Sequence, residues 1–147
     1  MVKQMKIAIA SDHGGFCLKE ILRIFLKENG YKIKDLGTYS EESVDYPIYG
    51  KLCGEFVRDK KADLGIVICG TGIGISIAAN KVKGIRCALC TNVNMGIMAR
   101  CHNDANMIAL GGRTTDPETA KAITLAWLTA ACEGGRHQRR IDMLNEM

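Results

Sequence analysis

The run Leu64-Gly65-Ile66-Val67-Ile68-Cys69-Gly70-Thr71-Gly72-Ile73-Gly74 decides the fold. Six small or apolar residues without polar alternation describe a strand buried on both faces, and such strands belong to parallel sheets covered by helices. The glycines after Cys69 mark a tight exit from the strand, and Ile75 to Lys81 then reads as a helix. Upstream, Lys6 to Ser11 is a second apolar run ending in the turn Asp12-His13-Gly14-Gly15. Leu18, Ile21, Leu22, Phe25 and Leu26 recur at helical spacing up to Asn29-Gly30, and Tyr31 to Leu36 is again strand-like. A helix begins near Pro47, with Ile48, Leu52, Phe56 and Val57 on one face. Downstream come a strand at Ile85–Cys90, a helix at Val93–Cys101 and a strand at Asn106–Leu110. Asp116-Pro117-Glu118 opens a helix running to about Cys132, with proline in its first turn and acids at the positive end of its dipole. A short helix follows Gly134-Gly135 from Arg136.

This alternation predicts one α/β domain over residues 1–147, doubly wound and Rossmann-like, with a five-stranded parallel sheet between two helical layers. In the common strand order two-one-three-four-five, winding reverses between the first and third strands. Ligands bind outside the carboxyl ends of the strands at that point. The loops there are Ser11–Gly15 and Cys69–Gly74, the two most unusual in the chain.

The bulk composition excludes several alternatives. A chain of 147 residues, 47% hydrophobic and 24% charged, is ordinary for a globular domain. No segment approaches the roughly 18 apolar residues of a membrane span. Met1–Lys6 is short and polar, unlike a secretion signal, which points to the cytoplasm. A net charge of +4 without a basic stripe or recognisable module argues against nucleic acid as partner. Seven cysteines in such a chain are expected as reduced thiols. Cys87 and Cys90 form a C-x-x-C, but residues three apart on a strand face opposite ways and cannot share a metal or a disulfide. With only three histidines, spread along the chain, no metal site is expected, and no cofactor.

Chemistry concentrates in few places. Gly70-Thr71-Gly72-Ile73-Gly74 is neither a nucleoside-triphosphate loop nor a dinucleotide fingerprint: G-x-x-x-x-G-K-[ST] is absent, and no acid ends the next strand. It is either a structural turn or a cradle of backbone amides for an oxyanion. Cys69 just before it is either core filler or a base, and the following helix N-terminus favours a thiolate at that position. Asp12-His13 is either a solvated loop pair or a pocket wall across the switch point. His102 is a helix-end cap or a catalytic group. Arg136 and Arg140, four apart, share one helix face as a solvated patch or a phosphate clamp, which Arg113 could join.

These residues resemble ribose-5-phosphate isomerase type B, a family that extends to galactose-6-phosphate and allose-6-phosphate isomerases. The similarity rests on Ser11–Gly15, Asp45-Tyr46-Pro47, Ile68–Lys81, Gly84-Ile85-Arg86, His102–Asn106 and Glu133–Arg140, in order along essentially the whole chain. The resemblance implies an aldose–ketose isomerase in which Cys69 moves the proton between adjacent carbons. The amides of Gly70, Thr71, Gly72, Ile73 and Gly74 then hold a cis-enediolate. His102 would assist ring opening, with Asp12 orienting the sugar and Asn103 holding hydroxyls. His13, Arg113, Arg136 and Arg140 would grip the phosphate. It further implies a homodimer or dimer of dimers with composite sites, a sugar phosphate as substrate, and no metal or cofactor. One branch of the family places a glutamate base where this chain has Ile75, so this sequence is of the cysteine type. Three readings stand beside it: the same chemistry on a six-carbon sugar phosphate, a non-catalytic nucleotide-binding module, and a thiol-redox protein.

Overall fold

The computed structural model describes residues 4–147; the reading of Met1–Lys6 therefore falls partly outside the described residues. The described chain alternates strand and helix as β1 (Lys6–Ser11), α1 (Phe16–Glu28), β2 (Lys32–Asp35), α2 (Tyr46–Arg58), β3 (Leu64–Cys69), α3 (Ile73–Asn80), β4 (Cys87–Leu89), α4 (Val93–Cys101), β5 (Met107–Gly111), α5 (Pro117–Thr129) and α6 (Arg136–Asn145). The strands form one parallel five-stranded sheet, so the α/β doubly wound class expected from sequence is what forms. No helix among the described residues is long and apolar enough to cross a membrane.

The strand order is β2-β1-β3-β5-β4, not two-one-three-four-five. Burial explains the difference. β5 is buried at all five positions and belongs in the interior, whereas β4 is three residues long, half-covered, and suited to an edge. The exchange has a consequence for the helices. Parallel crossovers are right-handed, so stepping back from β4 to β5 sends α4 to the face opposite α2 and α3.

Two cores follow from strand alternation. Ile7, Ile9, Leu64, Ile66, Ile68, Ile108 and Leu110 point to the layer of α1, α4 and α5, where Leu22, Ala99 and the fully buried Trp127 meet them. Trp127 Nε1 donates to the Ala105 carbonyl at 2.9 Å, which satisfies its one polar group. Ala8, Ala10, Val67, Cys69, Met107 and Ala109 point to α2 and α3. Cys87 and Cys90 join different cores, as their spacing requires.

The face of α2 is corrected. Ile48 and Leu52 are exposed, and the buried stripe is Gly50, Cys53, Gly54 and Val57. Those small residues let α2 lie directly on α3: a Cβ on Gly50 would stand 2.8 Å from the Ala78 methyl carbon. Ile21 of α1 likewise faces outward.

Candidate active site

The reversal of winding between β1 and β3 survives the change of order, and the carboxyl ends of these strands meet there in register, Ser11 opposite Ile68. A cleft of about 490 Å³ opens above them, lined by Asp12, Tyr46, Cys69, Gly70, Thr71, Ile73, Gly74, Ile77 and Arg113. Seven of these nine are among the candidates drawn from the sequence; Gly72, also a candidate, belongs to the same loop but not to the lining. Tyr46 and Ile77 stand in stretches that carry the resemblance but have no role assigned from the sequence, because what aims them is contact between elements distant in the chain.

Cys69 ends β3, buried, on the side of α2 and α3. Its Sγ accepts a hydrogen bond from the Gly72 amide at 3.2 Å. Gly72 caps α3 at φ 81°, a left-handed backbone open to glycine without strain, and this bend folds the loop back over the sulfur. The N-terminus of α3 borders the same space, and its dipole places a partial positive charge beside the thiol. Thr71 Oγ1 accepts from the Ile73 amide at 3.3 Å and pins the turn.

The walls are fastened to that loop. The Arg113 amide donates to the Gly70 carbonyl at 2.9 Å, and the Gly112 amide to the Cys69 carbonyl at 2.8 Å. A Cβ on Gly70 would sit 3.1 Å from Arg113 Nη1, so the guanidinium lies directly over the loop. Across the cleft, buried Asp12 accepts the Gly15 amide on Oδ1 at 3.1 Å, which fixes the carboxylate. Tyr46 opens α2, and its ring lies against Gly74, where a side chain would collide with it. His13 stands beside Asp12 but outside the cleft lining; its Nδ1 accepts from the Val44 amide at 3.1 Å, which leaves the ring proton on Nε2.

The other expected residues are not brought to this cleft. Helices in parallel crossovers run against the strands, so α4 ends at the amino edge of the sheet. His102, Asn103 and the start of α6 with Arg136 and Arg140 lie at that edge. A six-residue strand spans about 20 Å, which separates them from Cys69 within one chain. Arg86, just before β4, binds this end together: Nε donates to the Asn103 carbonyl at 3.2 Å, Nη1 to Asn145 Oδ1 at 2.6 Å. Asn103 lines a groove of about 370 Å³ there, with Arg86, Cys87, Leu144 and Met147.

The histidines are not all scattered as expected. The rings of His102 and His137 stack with centroids 4.2 Å apart, inclined by 10°, and Glu133 reaches both. Burial, with His102, Arg136 and Arg140 close by, holds the His137 imidazole below its ordinary value, against the pull of Glu133. The buried thiols elsewhere behave as core groups, desolvation pushing Cys53 up to about 12 and Cys90 to about 11.

Comparison with known proteins places this geometry. The family model described as Ribose/Galactose Isomerase matches residues 7–144. Ribose-5-phosphate isomerase B of Escherichia coli (strain K12) is 47% identical over 139 residues, 95% of this chain and 93% of that protein. Among solved structures, ribose-5-phosphate isomerase B of Clostridium thermocellum superposes with a TM-score of 0.95 at 54% identity, covering 97% of this chain and 96% of that one. The enzyme of Mycoplasma genitalium, solved with bound ribulose-5-phosphate, gives 0.93 at 41% identity over 99% and 97%. With a parallel sheet, a glycine loop behind a terminal cysteine and a model match over nearly its full length, the chain belongs to the ribose/galactose isomerase family.

Proposed function

We propose that this enzyme interconverts ribose 5-phosphate and ribulose 5-phosphate through a cis-enediolate, with Cys69 as base and no metal. The observation that carries the reading is the Gly72 amide on Cys69 Sγ at 3.2 Å, at the floor of a cleft bounded by the α3 N-terminus. A proton beside a carbonyl is removed more easily when donors already stand where the oxyanion will form. Here one loop supplies both the base and those donors, so Lewis-acid help from an ion is not required. Asp12, held by the Gly15 amide, orients a sugar hydroxyl or ring oxygen, while Arg113 and the Nε2–H of His13 stand ready for phosphate oxygens. The relative that carries ribulose-5-phosphate supports the choice of substrate.

The site is completed by a second copy of the chain. His102 for ring opening, Asn103 for hydroxyls, and Arg136 and Arg140 for phosphate all lie at the opposite edge of the sheet, so they serve a partner's cleft. Ile73 and Ile77 on α3, four apart and 53% and 56% exposed, offer an apolar stripe beside the cleft for that partner. The reading therefore includes a homodimer or a dimer of dimers.

The test is a kinetic panel of ribose 5-phosphate, allose 6-phosphate and galactose 6-phosphate in EDTA. Ribose 5-phosphate should lead in kcat/KM by about tenfold or more, the scale on which a pocket senses one added carbon, and EDTA should leave its turnover unchanged. A lead by either six-carbon substrate would transfer the assignment to that sugar. Loss of activity in EDTA, restored by a divalent ion, would overturn the metal-free mechanism.

A further inference from the structure

Three potential metal ligands converge at the amino edge of the sheet, away from the glycine loop: His102, Glu133 and His137. They come from three separate positions, the C-cap of α4, the segment between α5 and α6, and the first turn of α6. Backbone contacts hold them together. The Glu133 amide donates to the Cys101 carbonyl at 2.9 Å, laying this segment beside His102, and the His137 amide donates to the Gly134 carbonyl at 3.2 Å. His102 Nε2 stands 3.7 Å from Glu133 Oε1, and His137 Nε2 stands 3.6 Å from the same oxygen. These separations exceed an ordinary hydrogen bond. They come close to the span of about 3.3 Å between neighbouring ligands of a tetrahedral ion with bonds near 2.0–2.1 Å. The three ligand atoms all lie within 4.8 Å of one another.

We propose that His102, Glu133 and His137 form a binding site for one divalent transition-metal ion of the zinc class. Two imidazoles and a carboxylate are a donor set such ions accept, with one position left for water or another ligand, once the stacked rings, now inclined by only 10°, turn to aim their in-plane lone pairs at one point. In the single chain the side chains of His102 and Glu133 are 38% and 54% exposed. Arg136 and Arg140 on the same helix oppose a cation, so the ion's hold depends on the Glu133 carboxylate. Occupancy engages His102 Nε2. Where the ring-opening role proposed for His102 holds, the ion is an inhibitor of the isomerase, a consequence that rests on that reading.

The experiment is calorimetric titration of zinc sulfate into the whole, metal-stripped protein in a phosphine reductant, with isomerase activity followed in parallel. One equivalent should bind, and Glu133→Gln should weaken that binding by about tenfold or more. Glu133→Gln conserves shape at an exposed position, so its fold is preserved; His137→Phe, which keeps a stacked ring, is the second variant and should weaken binding similarly. Absence of a one-equivalent phase in the wild type overturns the site. Binding that survives both variants undiminished also overturns it, since the ion would then sit on thiols such as exposed Cys17. Binding with chelator-reversible loss of isomerisation supports both the site and the inhibition. Binding without loss of activity upholds the site and counts against His102 as a ring-opening group.

Discussion

A single sulfur carries the proposed chemistry, and its surroundings are specific to it. Cys53 and Cys90 are buried thiols pushed up to about 12 and about 11 by desolvation. Cys69 is also buried, yet it borders the cleft and receives an amide donor. Replacing it by alanine would remove the proposed base and leave the proposed phosphate ligands and loop amides in place. Cys69→Ala should therefore lower kcat by about 10²–10⁴-fold or more while substrate affinity stays near wild type. Stopped-assay kinetics with calorimetry on ribose 5-phosphate checks both halves, and near-normal turnover would exclude Cys69 as base. Cys69 was legible in the sequence because an apolar strand ended there in glycines. Tyr46, part of a motif, was not legible as cleft lining, because only the packing of α2 on α3 lays its ring against Gly74.

Among the elements, α1 is tied to β2 by a charge network that the sequence pattern did not reveal. Lys19 is fully buried in α1, and its Nζ donates to Asp35 Oδ1 and Oδ2 at 2.8 Å each and to Glu20 Oε2 at 2.9 Å. Asp35 Oδ1 also accepts the Gly37 amide at 2.9 Å, so the network steadies the loop leaving β2. Hydrogen bonds from Arg23 and Lys19 hold Glu20 at about 2, below its ordinary 4.5. A depressed carboxylate stabilises the folded chain fully above its unfolded value, and that contribution is lost as pH falls from about 4.5 to about 2. Glu20→Gln should accordingly flatten the acid limb of stability in urea titrations across this window. Lys19→Met leaves the partly exposed Asp35 with only Arg23, at 3.8 Å, as ion-pair partner and should cost about 1–3 kcal/mol in the same measurement at neutral pH. An unaltered urea midpoint in Lys19→Met would show the network to be dispensable. The small-residue stripe of α2 is a comparable case: hydrophobic periodicity points to Ile48 and Leu52, whereas close approach selects Gly50, Cys53 and Gly54.

For the whole molecule, the direction of the helices determines what one chain can complete. Cys69 lies at the carboxyl end of the sheet, His102 and Arg136 at the amino end, and the intervening strand is about 20 Å long. Mixing Cys69→Ala with His102→Ala subunits tests the shared site directly. Each mixed dimer holds one site with both residues and one with neither, so random re-association should restore about a quarter of wild-type activity. If exchange is confirmed by native mass spectrometry and the mixture stays inactive, His102 works within its own chain or not at all.

The alternation of apolar strands with helices, the reversal at β1 and β3, and the Cys69 loop follow from local pattern, because burial on both faces and a glycine turn leave their mark in consecutive residues. The order of the last two strands does not. β4 and β5 are both short and apolar, and which one takes the edge depends on how much of each the helices cover. That choice, through the handedness of the crossover, moves α4 to the layer of α5 and sets His102 against His137, residues 35 positions apart that no periodicity connects.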